Sequence, residues 1–480
     1  MVMGEFTQET ELIVLGGGPG GYAAAFRAAD LGMEVTMIDT EDRPGGVCLF
    51  RGCIPSKSLL YISELLHDTR RAGDMGITFD EPKIDIDKVR EWKNGVINGL
   101  ADGLAGLCKK RGVQFIRGRA VFEGNDRVGI QDSDSDVTHF KFKHAIIATG
   151  STAIPLPDAE FKKGGRIMSS TGALALQDIP ETILVVGGGY VGVELGSVYA
   201  SLGSRVTLVE MADRLMAGAD KDLVKPLLKK LEESFEAIHT ETKVTSIEEK
   251  DDGVNVTFEG GPEESEQRFD RVLVAIGRRP NSSDIGLDKT GVETDDNGFI
   301  KVDEKRRTAE KRIYAVGDVV GGVMLAHKGM YEGKVAAEVI AGEPSAFDVQ
   351  AIPAVVYTDP QIAWCGLTEA EAKEQGRNVK VGRFPWSASG RAASMGLRQG
   401  LTKMIVDAET ERVLGVGIVG REAGEMISEG VLAVEMGALA EDLALSIHPH
   451  PTLSEGEEEA AEAFLGKSTH ILPKKKKEKK

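Results

Sequence analysis

Glu11-Leu-Ile-Val-Leu-Gly16-Gly-Gly18-Pro-Gly-Gly21-Tyr22 decides the fold of this 480-residue chain. A strand-like apolar run, Glu11 to Leu15, feeds a glycine turn of the form G-x-G-x-x-G, and an Ala-rich helical pattern follows from Tyr22 to Leu31. A second strand, Val35 to Ile38, ends at Asp39. In such a βαβ unit Gly16 makes the tight turn, Gly18 lets the backbone approach a pyrophosphate, and Gly21 brings helix and strand together. The helix N-terminus attracts the phosphate charge, and the acid takes the ribose hydroxyls. The same unit returns as Ile183 to Val186, Gly187-Gly-Gly189-Tyr-Val-Gly192, a helix through Ala200, and Arg205 to Glu210. In both copies the acid stands 23 residues after the first glycine. One glycine turn can arise by chance, but two in full strand-helix-strand context with equal offsets point to two dinucleotide sites.

Each copy also has a later strand ending in a small-residue turn, Ala145-Ile-Ile-Ala-Thr149-Gly150 and Val272-Leu-Val-Ala-Ile-Gly277. Such turns line the ligand crevice of a doubly wound sheet. Glu210 is followed by Met211 and Ala212, with no basic residue to receive a 2′-phosphate, so NAD is expected over NADP at the second site.

Between the two copies lies Gly45-Gly-Val-Cys48-Leu-Phe-Arg-Gly-Cys53-Ile-Pro-Ser-Lys57, which holds two of the chain's four cysteines. On a regular helix residues five apart are separated by about 7.5 Å of rise and point about 140° apart. A disulfide needs Cα atoms roughly 4.4–6.8 Å apart with converging Cβ vectors. If the two are bridged, the helix around them is irregular, and Gly52 and Pro55 are the residues that permit it. Cys53 then sits at a helix N-terminus, where the dipole favours a thiolate. A purely stabilising disulfide is the weaker reading, because so short a loop stabilises least. A dithiol attached to the first of two dinucleotide sites suggests an electron relay from thiols through one cofactor to the other.

Composition sets the bounds. Charged residues make up 28% of the chain and hydrophobic ones 41%, as in a soluble globular protein of roughly three domains. No apolar run is long enough to span a membrane, and the first residues lack the basic start and apolar core of a signal peptide. With few cysteines as well, the cytoplasm is the expected compartment. A net charge of −18 argues against general nucleic-acid binding. Residues 473–480, with six lysines and one glutamate, read as a basic disordered tail.

After Pro280, Thr308 to Asp318 reads as a strand ending in an acid. From about Ile352 the strand-like runs Ala354 to Tyr357, Leu401 to Val406 and Arg412 to Val419, with the helical pattern Gly424 to Met436, make an α+β unit. Its end reads Ser446-Ile-His448-Pro-His450-Pro-Thr-Leu-Ser-Glu455. A histidine held by a carboxylate is a general-base arrangement. Thr452-x-x-Glu455 equally matches a helix capping box, and spacing alone leaves the two readings level. Cys108 and Cys365 read as core residues, and no metal-ligand cluster is visible.

Gly-Gly-Val-Cys48-x-x-x-x-Cys53-Ile-Pro-Ser-Lys57, both fingerprints, Thr308 to Asp318, Met324-Leu-Ala-His-Lys328, Phe384-Pro-Trp386 and His450 to Glu455 together resemble the dihydrolipoamide dehydrogenases, across nearly the full chain. The resemblance implies an α/β protein with two Rossmann-like domains, for FAD and NAD, and a C-terminal α+β dimerisation domain. Its expected boundaries are residues 1–153 for FAD and the redox pair, 154–281 for NAD, 282–350 completing the FAD domain, and 351–472 for the interface. FAD is expected on Gly16, Gly18, Gly21, Asp39, Lys57, Ala120, Thr149, Gly150, Asp318 and Ala326, with Glu194 paired to Lys57. NAD is expected on Gly187, Gly189, Gly192, Glu210, Val244, Gly277 and Arg278. The resemblance also implies a homodimer in which His450 and Glu455 serve the partner's Cys48–Cys53 disulfide. The implied reaction oxidises dihydrolipoamide, carried on a lipoyl domain or carrier protein, and makes NADH: Cys48 is the interchange thiol and Cys53 faces the flavin. Phe50 stands where the family has Asn, Asp39 where it has a longer Glu, Pro449 where it has a small residue, and Gly456 follows the acid.

Two rivals bear on this. Glutathione and mercuric reductases share the fold and the cysteine pair, but the first prefers NADP, against Glu210, and the second carries a C-terminal cysteine pair, whereas the last cysteine here is Cys365. A flavin-bearing structural subunit without turnover is the answer of a different class. Intact Cys48, Cys53, His450 and Glu455 argue against it.

Overall fold

The computed structural model describes residues 7–131 and 137–472, so the basic tail lies outside the described residues. The first unit runs β1 (Thr7–Leu15), α1 (Pro19–Asp30), β2 (Val35–Asp39), α2 (Gly46–Arg51), α3 (Cys53–Arg71), α4 (Ile86–Arg111), β3 (Gln114–Arg117), β4 (Arg119–Gly124), β5 (Arg127–Gln131) and β6 (Val137–Ile147). Its sheet has the order β3-β2-β1-β6-β5-β4, parallel from β3 to β6 and antiparallel beyond. Leu12 to Leu15 and Ala145 to Ile147 are almost wholly buried. Continuous apolar runs of this kind belong to parallel strands covered by helices on both faces.

The second unit comprises β7 (Ser151–Ala153), β8 (Ile167–Met168), α5 (Ser170–Ala175), β9 (Thr182–Val186), α6 (Tyr190–Leu202), β10 (Arg205–Val209), α7 (Lys221–Ser234), β11 (Ala237–His239), β12 (Lys243–Lys250), β13 (Gly253–Glu259), β14 (Glu266–Phe269), β15 (Arg271–Val274) and β16 (Arg278–Pro280). Its parallel sheet has the order β11-β10-β9-β15-β8, and β12-β13-β14 form a separate antiparallel sheet. β7 and β16 pair where the chain enters and leaves this unit.

The chain then returns to the first sheet through β17 (Ile313–Ala315), which pairs with the second half of β6, and through α8 (Ala326–Ile340). The strand expected over Thr308 to Asp318 is thus only three residues long. Thr308 instead caps a turn, its hydroxyl donating to the Ile313 carbonyl, and Gly317–Val320 form a 3₁₀ turn. α8 lies close along α1, where a Cβ on Gly333 would come within 2.3 Å of the Gly20 carbonyl oxygen.

The third unit contains β18 (Ala354–Val356), β19 (Gln361–Gly366), α9 (Glu369–Glu374), β20 (Val379–Pro385), α10 (Gly390–Ser394), β21 (Leu401–Asp407), β22 (Val413–Gly420), α11 (Ala423–Glu435), α12 (Ala440–Ala444) and α13 (Glu455–Leu465). Its antiparallel sheet, β18-β19-β22-β21-β20, packs one face on α11 and α13. A buried ion cluster joins it to the second unit: Lys403 on β21 is fully buried, with Nζ 2.6 Å from Asp220 and Asp222 and 2.8 Å from Glu369. The ammonium occupies the space among those three carboxylates that a cation would otherwise take. Among the described residues no helix is long and apolar enough to cross a membrane.

Candidate active site

Both glycine loops form cradles. A Cβ on Gly21 would come within 1.8 Å of the Gly16 carbonyl oxygen, and one on Gly192 within 2.0 Å of that of Gly187. Gly18 and Gly189 precede α1 and α6 without a side-chain cap, which leaves the helix N-terminal amides free for an anion. The two acids occupy equivalent places: Asp39 accepts from Gly17 N–H at 2.5 Å, and Glu210 from Gly188 N–H at 2.6 Å. Ala212 N–H donates to the other Glu210 oxygen at 2.7 Å.

The dithiol segment is pressed onto the first cradle. Gly46 has φ +59°, and a Cβ there would meet Gly18 Cα at 2.5 Å. α2 stops at Arg51 and α3 restarts at Cys53, with Gly52 between them at φ −141°, ψ −111°. This is the helix irregularity expected around the pair. Cys53 opens α3, and Pro55 lies in its first turn. Cys48 and Cys53 are half-buried free thiols. The Cys53 thiol is pulled below its usual range by a hydrogen bond from Cys48 and by the Lys57 charge, against burial. Cys48 is pushed well above its usual range by that same hydrogen bond and by burial. The sequence motif is nearly symmetric, but the site makes the two thiols unequal.

Lys57 Nζ lies 2.8 and 3.1 Å from the Glu194 oxygens. Glu194, only 3% exposed, also accepts from Ser56 Oγ at 3.1 Å and from Tyr357 N–H at 2.9 Å, and the Tyr357 ring lies 4.4 Å from Lys57 Nζ. A cavity of about 610 Å³ runs past these groups. Asp39 and Ala120 line it, as do Thr149, Gly150, Asp318 and Ala326, and it reaches Cys48, Cys53, Lys57 and Glu194. From the second fingerprint Tyr190 and Val191 reach the same cavity. Asp318 accepts from Ser151 Oγ at 2.5 Å, and Arg278 donates to Ser151 Oγ at 2.7 Å. Thr149 Oγ1 donates to the Asn281 carbonyl. Gly277 has φ +136° just before β16. Val244 lies on β12, half-buried against an apolar cluster with Phe258. A long cavity open to loop amides at one end and to thiols at the other fits an extended dinucleotide in the first cradle.

Phe50 does not line this cavity. Its ring lies 5.9 Å from the guanidinium carbon of Arg43, which is itself held by Asp102 and Asn98 of α4. Phe50 thus links α2 to α4 through Arg43.

His450 Nδ1 lies 2.7 Å from Glu455 Oε1, and Thr452 N–H donates to Glu455 Oε2 at 2.7 Å. The capping-box reading is corrected: α13 starts at Glu455 after Ser454, and the Thr452 hydroxyl donates to the Pro449 carbonyl. One carboxylate thus fixes both the histidine and the turn. Burial raises the Glu455 pKa, but the hydrogen bonds from Thr452 and His450 outweigh it and hold the carboxyl below its usual range. The His450 side chain is 71% exposed, and neither it nor Glu455 lines the cavity of its own chain.

Residues 10–333 match the pyridine nucleotide-disulphide oxidoreductase family, and residues 352–461 match that family's dimerisation domain. The chain belongs to the pyridine nucleotide-disulphide oxidoreductases. It is 48% identical over 471 residues to a dihydrolipoyl dehydrogenase of Haemophilus influenzae, covering 98% of each chain, and 45% identical to one of Bacillus subtilis, covering 98% of this chain and all of that one. Among solved structures it resembles LpdA from Mycobacterium tuberculosis, with a TM-score of 0.88 and 28% identity, covering 94% and 99% of the two chains. The HOCl-induced flavoprotein disulfide reductase RclA from Escherichia coli matches with a TM-score of 0.82 and 26% identity, covering 93% and 98%. The dimerisation domain of this oxidoreductase supports a homodimer.

Sequence reading missed Ser56 and the Tyr357 amide as partners of Glu194. Ser56 was visible inside the dithiol motif. A backbone amide 163 residues away left no mark.

Proposed function

We propose that this protein is a dihydrolipoyl dehydrogenase, oxidising dihydrolipoamide on a lipoyl domain or carrier protein and reducing NAD⁺. Its cofactors are FAD and NAD. The observation that carries the reading is the unequal thiol pair lying where one cavity is lined by residues following both dinucleotide fingerprints. FAD suits the first cradle, held by Gly16, Gly18, Gly21, Asp39, Ala120, Thr149, Gly150, Asp318 and Ala326 with Lys57 near its ring. NAD suits Gly187, Gly189, Gly192, Glu210, Val244, Gly277 and Arg278. Bound FAD supplies the two-electron coupling between thiols and nicotinamide.

On this reading His450 of the partner subunit, oriented by the partner's Glu455, removes a proton from a dihydrolipoamide thiol at Nε2. The thiolate attacks Cys48 of the oxidised Cys48–Cys53 pair, the old S–S bond breaks, and Cys53 leaves as a thiolate. A lowered thiol pKa makes Cys53 the better leaving group. The second substrate thiol then attacks the sulfur joined to Cys48, closes the lipoyl ring and releases the Cys48 thiol. Lys57, fixed by Glu194, keeps a positive charge beside Cys53. The exposure of His450 and its separation from its own chain's cavity support a site completed across the dimer. A chain of 480 residues with only four cysteines, two of them a catalytic pair, suits a reducing compartment, and we place the protein in the cytoplasm.

The test is NADH formation by the FAD-loaded protein from dihydrolipoamide and NAD⁺, set against NADP⁺ and against glutathione disulfide with NADH. Turnover only with the first pair is expected. No NADH with dihydrolipoamide overturns the proposal.

A further inference from the structure

Behind His450 stands a second group of titratable side chains to which the reaction above gives no part. His448 is nearly buried, its side chain 7% exposed, with Nε2 2.8 Å from Glu429 Oε1 on α11 and Nδ1 2.9 Å from the Ser446 carbonyl oxygen. Glu429 also faces Glu457 on α13, whose side chain is fully buried. Neither Glu457 oxygen meets a hydrogen-bond partner of good geometry among the described residues. A buried carboxylate without a partner is costly, so such a group holds its proton instead. Burial, and after it the Glu429 charge, push Glu457 up to about 9, with a loose hydrogen bond to Glu429 adding to the rise and one to the Gly430 backbone opposing it. Burial lowers the His448 pKa, but the contacts with Glu429 and Ser446 outweigh it and leave it raised. Cys365 on β19 faces both Glu457 and Glu435 of α11, and on the helix of Glu457 the neighbours are Glu455, Glu458 and Glu459, of which Glu458 also reaches to 3.3 Å from His448 Nδ1.

We propose that Glu457 is a positioning residue for His450: as a neutral acid it leaves Glu429 free to pair with His448, and that pair pins the turn on which His450 stands two residues later. Loss of the Glu457 proton puts two like charges side by side in a dry site. Glu429 then gives way, the His448 anchor loosens, and His450 loses its register with Glu455. The inference rests on the reading of His450 as the base.

The test compares FAD-loaded wild type with Glu457→Gln, which cannot ionise, and with Glu457→Leu, which fills the site without a polar group. The ratio of kcat/KM for dihydrolipoamide at about pH 9.5 to that at about pH 7.5 is expected to rise about threefold or more in either variant. The same ratio for flavin reduction by NADH, which does not use His450, stays as in wild type. Equal dihydrolipoamide ratios in wild type and variants overturn the proposal. Folding gives an independent readout. Between the unfolded value of 4.5 and about 9 only the folded chain holds this proton, so wild-type stability falls with rising pH relative to Glu457→Gln. The gap in urea midpoint is expected to widen from about pH 5 to about pH 9 and then level off, and a constant gap counts against the proposal. If neither variant folds, wild type decides: the lack of any protonated-carboxyl infrared band at about pH 7.5 overturns it. His450→Gln separates the two readings, because wild-type dihydrolipoamide turnover in that variant removes the base assignment while the Glu457 unfolding signature persists.

Discussion

Lys57→Met withdraws an ammonium from a carboxylate that remains buried. Glu194 keeps its hydrogen bonds from Ser56 Oγ at 3.1 Å and Tyr357 N–H at 2.9 Å, but loses both contacts to Nζ. Removing one partner of a buried pair costs about 3–5 kcal/mol. The two surviving hydrogen bonds, and a Lys57 side chain 34% exposed to begin with, place this case near the lower limit, at about 3 kcal/mol. That is a factor of about 150 in an opening equilibrium. In the FAD-loaded protein the Tyr357 amide and the first turn of α3 are therefore expected to exchange hydrogen about two orders of magnitude faster, while β9 amides in the second core keep their rates. The same variant moves Cys53 alkylation to higher pH, because a cation favouring its thiolate has gone. Lys57→Met combined with Glu194→Gln removes the stranded charge yet leaves a carbonyl for Tyr357 N–H and an amide that can donate to Ser56, so most of the protection returns. If the single and double variants exchange alike, Lys57 and Glu194 are not a coupled buried pair and the reasoning fails.

Cys48→Ser, whose hydroxyl still donates to residue 53, leaves Cys53 open to iodoacetamide below the usual thiol range, whereas Cys53→Ser leaves Cys48 unreactive at neutral pH; reversed reactivities contradict the assigned roles. Glu455→Gln frees His450 from its anchor and is expected to lower kcat/KM for dihydrolipoamide about 100-fold with NADH-driven flavin reduction intact, as stopped-flow traces will tell. Lys403→Met leaves Asp220 without its ammonium in the junction between second and third units, while Arg383 still faces Asp222 and Glu369. A loss of about 3–5 kcal/mol, read by calorimetry as a lower Tm, is expected, and an unchanged Tm refutes the cluster's role.

The two βαβ units were legible because their constraints are local: the glycines are required by close backbone contacts within a few residues, and each acid meets an amide of its own loop. The break at Gly52 was legible for the same reason, since two cysteines five apart conflict with helical geometry. Contacts made across the fold were not. Nothing near Glu194 in sequence marks Tyr357, and Glu457, lying among Glu455, Glu458 and Glu459, reads like part of a solvated acidic face until packing buries it against Glu429. The capping box formed only by half, because the Thr452 hydroxyl turns back to the Pro449 carbonyl, so the helix begins two residues later than the motif suggested. The segment Thr308 to Asp318 failed because its edge residues bend into turns at both ends of β17.

The carboxylate of Glu194 has consequences for exchanging parts between such chains. It rises from the second unit, takes donors from Ser56 and Lys57 in the first, and is completed by a backbone amide from the third. A chimera that imports a foreign second unit must bring an acid to this point, and one that imports a foreign third unit must return an amide to it. Recombination at the unit boundaries is therefore filtered by one side chain, which leaves the thiol centre correctly charged only when all three units are compatible.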